Sequence, residues 1–208
     1  MSTKKYAITI TRQFGSLGRP IARRLSERLG IEYYDRDIVD EVAKKTGYSV
    51  TEISDIEESA KNGFMNMKFP LGTSTTAKQD EIFAMQSQII STIADKESCI
   101  IVGRCSDYVL RGHENLINIY IYAPYEQRMK NCVDTLKLAP QTAKKMINEV
   151  DKAREYYHVR YAGYLPQDEN HKDILINSGF LGIEQTAEVL EYMIRKKLDL
   201  VEETGSEE

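Results

Sequence analysis

The segment from Tyr6 to Leu29 limits what this chain can fold into more than any other. Tyr6-Ala-Ile-Thr-Ile-Thr11 alternates and is β-branched, which reads as a strand. It runs into Arg12-Gln-Phe-Gly-Ser-Leu-Gly18, a turn-rich loop. Ile21, Ala22, Leu25 and Leu29 then recur at helical spacing, with Arg19, Arg23, Arg24 and Arg28 between them. Gly30 suits the left-handed position that ends a helix. A strand, a glycine loop and a helix in this order open an α/β fold.

The rest of the chain repeats the alternation. Ile31 to Tyr34 reads as a short strand delivering Asp35-Arg36-Asp37 to its carboxyl end. Helices are expected over Ile38–Lys45 and Val50–Ser59, then a mobile connection over Lys61–Thr76 with Gly63, Pro70 and Gly72. Ile82, Met85, Ile89 and Ile93 share one face of a helix expected over Ala77–Lys96. Ser98–Val102 and Leu116–Ala123 read as strands, and Pro124 fits the first turn of the next helix. A helix over Pro140–Ala162, a strand over Asp173–Asn177 and an amphipathic helix carrying Ile183, Ala187, Leu190, Ile194 and Leu198 complete the pattern. Strands alternating with helices give a parallel sheet covered on both faces, and ligands of such sheets bind at the carboxyl ends of the strands.

The loop carries the first chemical signal. Backbone N–H groups and a helix N-terminus can surround phosphate oxygens while a cation meets the terminal ones. Gly15 and Gly18 let the backbone approach, Ser16 adds a donor, and Arg19 stands where a phosphate-loop lysine follows its glycine. Against the pattern G-x-x-x-x-G-K-[ST], Gln13 replaces the first glycine, Arg19 the lysine and Pro20 the magnesium-holding hydroxyl. Arginine can do the lysine's work with a fork in place of a point charge. Proline cannot coordinate a metal. The alternative is a strand–helix turn that uses glycine for geometry alone.

Composition removes several classes. The 208 residues suffice for one sizeable domain. No apolar run approaches the roughly 20 residues of a membrane span, so no membrane partner is expected. A net charge of −4 argues against general nucleic-acid binding. The start runs directly into a strand, so no signal peptide is expected and the chain reads as cytoplasmic. Cys99, Cys105 and Cys132 form no CxxC pair, and His113, His158 and His171 are scattered, so no metal site is assigned.

At this point the chain resembles a known family. Thr11-Arg-Gln-Phe-Gly-Ser-Leu-Gly-Arg19 followed by Ile21-Ala22 is similar to the opening R-Q-x-G-S-x-G-R-x-I-A of cytidylate-kinase-like proteins, within the P-loop nucleoside monophosphate kinase superfamily. Leu29 to Asp37 continues in register, as do Val102-Gly-Arg104 with Asp107, Ala123-Pro124 with Glu126 and Arg128, and Asp151-Lys-Ala-Arg154. The resemblance spans about residues 6 to 198. It implies a five-stranded parallel sheet, a nucleotide at the loop contacted from Arg12 through Gly15, Ser16, Leu17 and Gly18 to Arg19, and a monophosphate-type acceptor beside it. It also implies an arginine-bearing lid, with ATP and Mg2+ as cofactors. Cytidylate kinases have a conventional loop and an aspartate before the Gly-Arg of the third strand, where this chain has Val102. Both departures touch magnesium handling.

Asp35 and Asp37, flanking Arg36, can accept from a sugar or polyol hydroxyl, hold a metal-bound water, or cap a helix. Their spacing also resembles the acceptor motif of shikimate-type kinases. Arg104 can clamp an acceptor phosphate, with Asp107 nearby; the alternative is a surface arginine at a helix start. Arg128, Lys152, Arg154 and Arg160 are the lid candidates, although Arg154 and Arg160 fall on different helix faces. A solvated charged helix is the competing reading for them, and Tyr156, Tyr157, Tyr161 and Tyr164 are expected to pack it onto the body. The expected organisation is one kinase-like domain over residues 1–201. It has an acceptor-side helical segment at 36–76, a lid-like segment at 138–168 and a disordered acidic tail at 202–208. The expected activity is transfer of the ATP γ-phosphate to a small acceptor such as CMP, catalysed by Arg19, Arg128 and Arg154. Another hydroxylated acceptor and a non-catalytic nucleotide-binding role stay open.

Overall fold

The computed structural model describes residues 5–35 and 73–200. The expected helices between Ile38 and Ser59, residues Arg36 and Asp37, and the tail 202–208 lie outside the described residues.

Five parallel strands form one sheet: β1 (Ala7–Arg12), β2 (Glu32–Tyr34), β3 (Cys99–Val102), β4 (Leu116–Tyr122) and β5 (Ile174–Asn177), in the order β2-β3-β1-β4-β5. Between them run α1 (Gly18–Leu29), α2 (Thr73–Lys96), α3 (Ser106–Val109), α4 (Tyr125–Asp134) and α5 (Pro140–Ala162), and α6 (Ser178–Lys197) follows β5. The strand period sorts the core into two layers. Ile8, Ile10, Ile100, Val102, Ile117, Ile119 and Ile121 meet α1 and α6 on one face. Ala7, Cys99 and Ile101 meet Ile82, Ile89 and Ile90 of α2 on the other. Burial on both faces explains why these strands read as near-continuous aliphatic runs.

Most expected boundaries agree to within a residue or two. Three differ. Helix α2 begins at Thr73, inside the expected connection. Pro124 is the N-cap of α4, with φ −55° and ψ 148°, so the helix starts at Tyr125. The closing helix starts early, at Ser178, with Gly182 breaking its geometry at φ 75° and ψ −169°. The short α3 was not foreseen; four residues carry no helical period. Among the described residues no helix is long and apolar enough to cross a membrane.

This topology places the site. Strands β1 and β3 are neighbours, but the chain leaves β1 toward the β2 edge and leaves β3 across to β4. Connections departing in opposite directions open a crevice at the carboxyl ends of such a pair. Arg12 ends β1 there, and Gly103-Arg104 follows β3.

Candidate functional site

The loop between β1 and α1 is held from outside. The Gln13 N–H donates to the Ile121 carbonyl at 3.0 Å, and its side-chain oxygen accepts from the Ala123 N–H at 3.2 Å. The residue that displaces the usual first glycine therefore fastens the loop to the end of β4. The Phe14 N–H donates to Asp151 Oδ1 at 2.7 Å, and Phe14 itself packs with Cys132, Ala143 and Ile147 of α4 and α5. Asn131 donates to the Gly15 carbonyl at 2.8 Å, and the Ser178 hydroxyl lies 2.6 Å from the Ser16 carbonyl. Arg128 reaches the Phe14 carbonyl at 3.4 Å. A trans peptide sets each N–H opposite its preceding carbonyl. Tethering the Phe14, Gly15 and Ser16 carbonyls to α4 and α6 thus orients the amides that follow them, of which the Ser16 N–H closes a turn onto the Gln13 carbonyl at 3.4 Å.

Glycine is required where this loop is tight. Gly15 has φ +78°, and a Cβ there would lie 2.9 Å from Cys132 Sγ. A Cβ on Gly18 would lie 2.8 Å from the Arg12 Cβ. Leu17, at the N-cap of α1, is left-handed at φ 58° and supplies no side-chain cap. In the first turn of α1, the Gly18 and Arg19 N–H groups have no intrahelical partner by helix geometry, and Pro20 has no N–H. These features fit a phosphate group.

Arginines converge on one carboxylate beside the loop. Asp35 is 3% exposed, at the end of β2. Arg19 Nε pairs with its Oδ2, and Arg12 and Arg104 stand 3.8 and 3.9 Å from its Oδ1. Tyr33 donates to Oδ2 at 3.3 Å. Arg154, from α5, donates to the Arg12 carbonyl at 3.1 Å. Burial would raise the Asp35 pKa, but Arg12, Arg19 and Arg104 outweigh it and hold the carboxyl below its ordinary value. Arg12 is lowered to about 9 by burial first and then by the neighbouring charge of Arg154, with Asp35 opposing. A cavity lined by Arg12, Arg104, Arg154, Thr11, Tyr157 and His158 opens beside this cluster. A Cβ on Gly103 would overlap Arg12 Nη1, so glycine there keeps room for the guanidinium.

Several expected roles need correction. The Ser16 hydroxyl is buried and donates to the Gln13 carbonyl at 2.9 Å, so it is spent within the loop. Arg128 stands behind the loop, paired with Asp151, and not in the arginine cluster. Of the lid candidates, Arg160 pairs with Asp80 at 2.8 Å and Lys152 is exposed; Arg154 alone of that set reaches the site. Tyr157 and Tyr161 do pack α5, against Phe83 of α2, whereas Tyr156 is exposed. Asp107, expected to touch the acceptor, has a side chain with 0% exposure. Its carboxylate takes Lys172 at 2.5 Å, His158 at 3.0 Å and Tyr164 at 3.2 Å. Asn131, Ser178, His158 and Lys172 had no local signal, because their partners lie 51 to 162 residues away in sequence. Among the described residues, no His, Cys, Asp and Glu side chains group as a metal site would require.

The Asp107 cluster predicts an acid limb in stability. Burial pushes its pKa up, but His158 and Lys172 hold it well below the usual carboxylate range. Because the folded value is depressed, the contribution is complete above the unfolded value of about 3.9 and is lost as pH falls through the folded value. Urea unfolding at pH 7, 5 and 3 should show little loss from this group between the first two and a clear loss at the third. Asp107→Asn should shrink that acid loss while lowering stability at pH 7 by about 3–5 kcal/mol, since Lys172 is left buried and unpaired. An unchanged acid limb in the variant would contradict this assignment.

Comparison with known proteins follows the same lines. The model of the cytidylate kinase-like family matches residues 7–179. No curated protein sequence matches the chain. Among solved structures, an uncharacterized protein from Eubacterium ventriosum ATCC 27560 is similar at 27% identity and TM-score 0.69, covering 95% of this chain and 100% of that one. A shikimate kinase from Acinetobacter baumannii in complex with shikimate aligns at 16% identity and TM-score 0.53, covering 94% and 97%. A gluconokinase from Sinorhizobium meliloti 1021 aligns at 10% identity and TM-score 0.54, covering 94% and 98%. At such identities the last two share the fold, a P-loop kinase fold, and no more. The family match runs from β1 into the first turn of α6 and takes in the loop and its arginines: the chain belongs to the cytidylate kinase-like family.

Proposed function

We propose that this protein transfers the γ-phosphate of ATP to a small acceptor that carries its own phosphate, a nucleoside monophosphate such as CMP. The observation that carries this reading is the gathering of Arg12, Arg19 and Arg104 around Asp35, with Arg154 against Arg12, beside a glycine loop at the carboxyl edge of the sheet. Phosphoryl transfer depends on positioning and on cations that neutralise the transferring group. ATP at the loop would supply the transferable group. The loop amides and the first turn of α1 would orient its phosphates. Arg19, 36% exposed between loop and Asp35, would exchange part of its carboxylate contact for phosphate oxygens. Arg12, Arg104 and Arg154 would hold the acceptor in the adjoining cavity.

The state of Asp35 favours a phosphate as the attacking group. A hydroxyl acceptor is helped by a carboxylate placed to take its proton, and Asp35 is engaged by arginines that hold it below its ordinary value. An acceptor phosphate is already ionised and needs none. Magnesium fits the described residues badly. Pro20 offers neither hydroxyl nor N–H, and Asp35 is buried among arginines. The arginines are therefore assigned the charge neutralisation.

Coupled assays across the nucleoside monophosphates and shikimate-like acids test the acceptor. Turnover should favour a monophosphate, and turnover confined to the hydroxy acids would overturn the assignment. Arg19→Ala should leave the fold intact and weaken ATP binding roughly ten- to a hundredfold, the worth of a charged hydrogen bond. Calorimetry showing unchanged affinity would remove Arg19 from this role. ATP binding by the wild type should depend weakly on magnesium, and Pro20→Ser should increase that dependence by returning a hydroxyl to the first turn. Strong magnesium dependence in the wild type would show that the metal is held by other groups.

A further inference from the structure

Behind the cavity lies a buried charged network that the transfer reaction leaves without a task. Asp107 and Lys172 have side chains with 0% exposure, and His158 has 4%. Asp107 Oδ2 receives Lys172 Nζ at 2.5 Å and the Tyr164 hydroxyl at 3.2 Å, while His158 Nε2 lies 3.0 Å away. The other ring nitrogen of His158 donates to the Tyr164 carbonyl at 2.8 Å. Three stretches of chain are thereby joined: the corner after β3, helix α5, and the connection into β5. Buried ions are costly unless fully paired, so such a network fixes the geometry of whatever it joins.

What it joins are two of the three arginines that line the cavity, Arg104 and Arg154. Arg104 is three residues before Asp107. Arg154 is four before His158, on the same face of α5, and both line the cavity. The corner carrying Arg104 is strained. Gly103, Arg104 and Cys105 have φ of 78°, 60° and 51°, left-handed values that cost a side-chain-bearing residue on the order of 1–2 kcal/mol each. A strained corner persists only where its surroundings hold it. Here the hold comes from the first turn of α3, whose Asp107 is anchored to α5.

We propose that Asp107 is a positioning residue: through His158, Lys172 and Tyr164 it sets the spacing between Arg104 and Arg154, and so the affinity of the cavity for an anion. The proposal rests on reading the cavity as the acceptor's anion site. It does not require that any acceptor be turned over.

The test is a double-mutant cycle read by calorimetric titration with inorganic phosphate. Asp107→Asn combined with Lys172→Met removes the carboxylate together with its buried lysine, so no buried lysine is left unpaired and the fold should survive, as circular dichroism and thermal melting would report. This variant should bind phosphate about tenfold more weakly than the wild type. In an Arg154→Ala background the same pair of changes should cost about threefold or less, because the network then has one fewer arginine to place. A merely structural role would give the same loss in both backgrounds, and that result overturns the proposal. So does wild-type affinity in the folded variant, or a wild type that binds no phosphate. If the double change prevents folding, Tyr164→Phe decides by the same cycle. It deletes one hydroxyl from Asp107, leaves the charges paired, and should weaken phosphate binding about twofold to fourfold only where Arg154 is present. A protein that shows this cycle yet phosphorylates no acceptor would sink the proposed function and leave the positioning role standing.

Discussion

Four guanidinium groups cannot be gathered at the ends of adjacent strands unless something negative stands among them. Among the described residues that group is Asp35. Its carboxylate lies at the carboxyl end of β2, takes Arg19 directly, and faces Arg12 and Arg104 at a looser 3.8 and 3.9 Å. Burial, and after it the charge of Arg154, lowers the pKa of Arg12 beside it. The two loose contacts matter as much as the close one. Asp35 Oδ1 is buried without a hydrogen-bond partner among the described residues. An anionic ligand entering here meets guanidinium groups in surroundings where screening by water is weak.

The loop depends on a second group of interactions, all from its outer side. Asn131 and Arg128 of α4, Asp151 of α5 and Ser178 of α6 each take a backbone group of residues 14–16, while Gln13 is bonded to Ile121 and Ala123 at the end of β4. The loop therefore keeps its shape without a ligand. A preformed cradle loses less conformational freedom when an anion arrives, which favours binding. The same contacts bring α5 against the loop, so Arg154 reaches the Arg12 carbonyl from a helix fixed at several points: Asp151 on Phe14, Tyr157 on Gln86, and His158 on Asp107.

The fold was largely legible in the sequence, because both signals it rests on are local. β-Branched runs marked the strands, and apolar residues three and four apart marked α1, α2 and α6. The loop was legible too, since glycine spacing between a strand and a helix is a short-range pattern. Individual site roles were harder. Arg12 was named through the family resemblance, Arg19 from the place of the phosphate-loop lysine, Arg104 from the end of the third strand and Arg154 as a lid candidate. The structure places Arg12, Arg19 and Arg104 about Asp35, with Arg154 against Arg12. Arg128 and Asp107 carry the same kinds of side chain in equally suggestive places, yet one braces the loop from behind and the other is sealed beneath the cavity. What separates these outcomes is the partner across the fold, Asp151 for one and Lys172 with His158 for the other. Local spacing holds no record of that. Ser16 shows the same limit: its hydroxyl donates to the Gln13 carbonyl three residues back, a contact the motif does not announce.

The central claim is that the loop and the arginines around Asp35 form one site for a polyphosphate and an anionic acceptor. A crystal structure with a non-hydrolysable ATP analogue, grown with and without magnesium, tests it most directly. The account predicts terminal phosphates against Gly15–Arg19 and the first turn of α1 in both crystals, with Arg19 drawn from Asp35 toward the phosphate oxygens. An analogue bound elsewhere, with the Arg19–Asp35 pair intact and no anion at the loop, would contradict it.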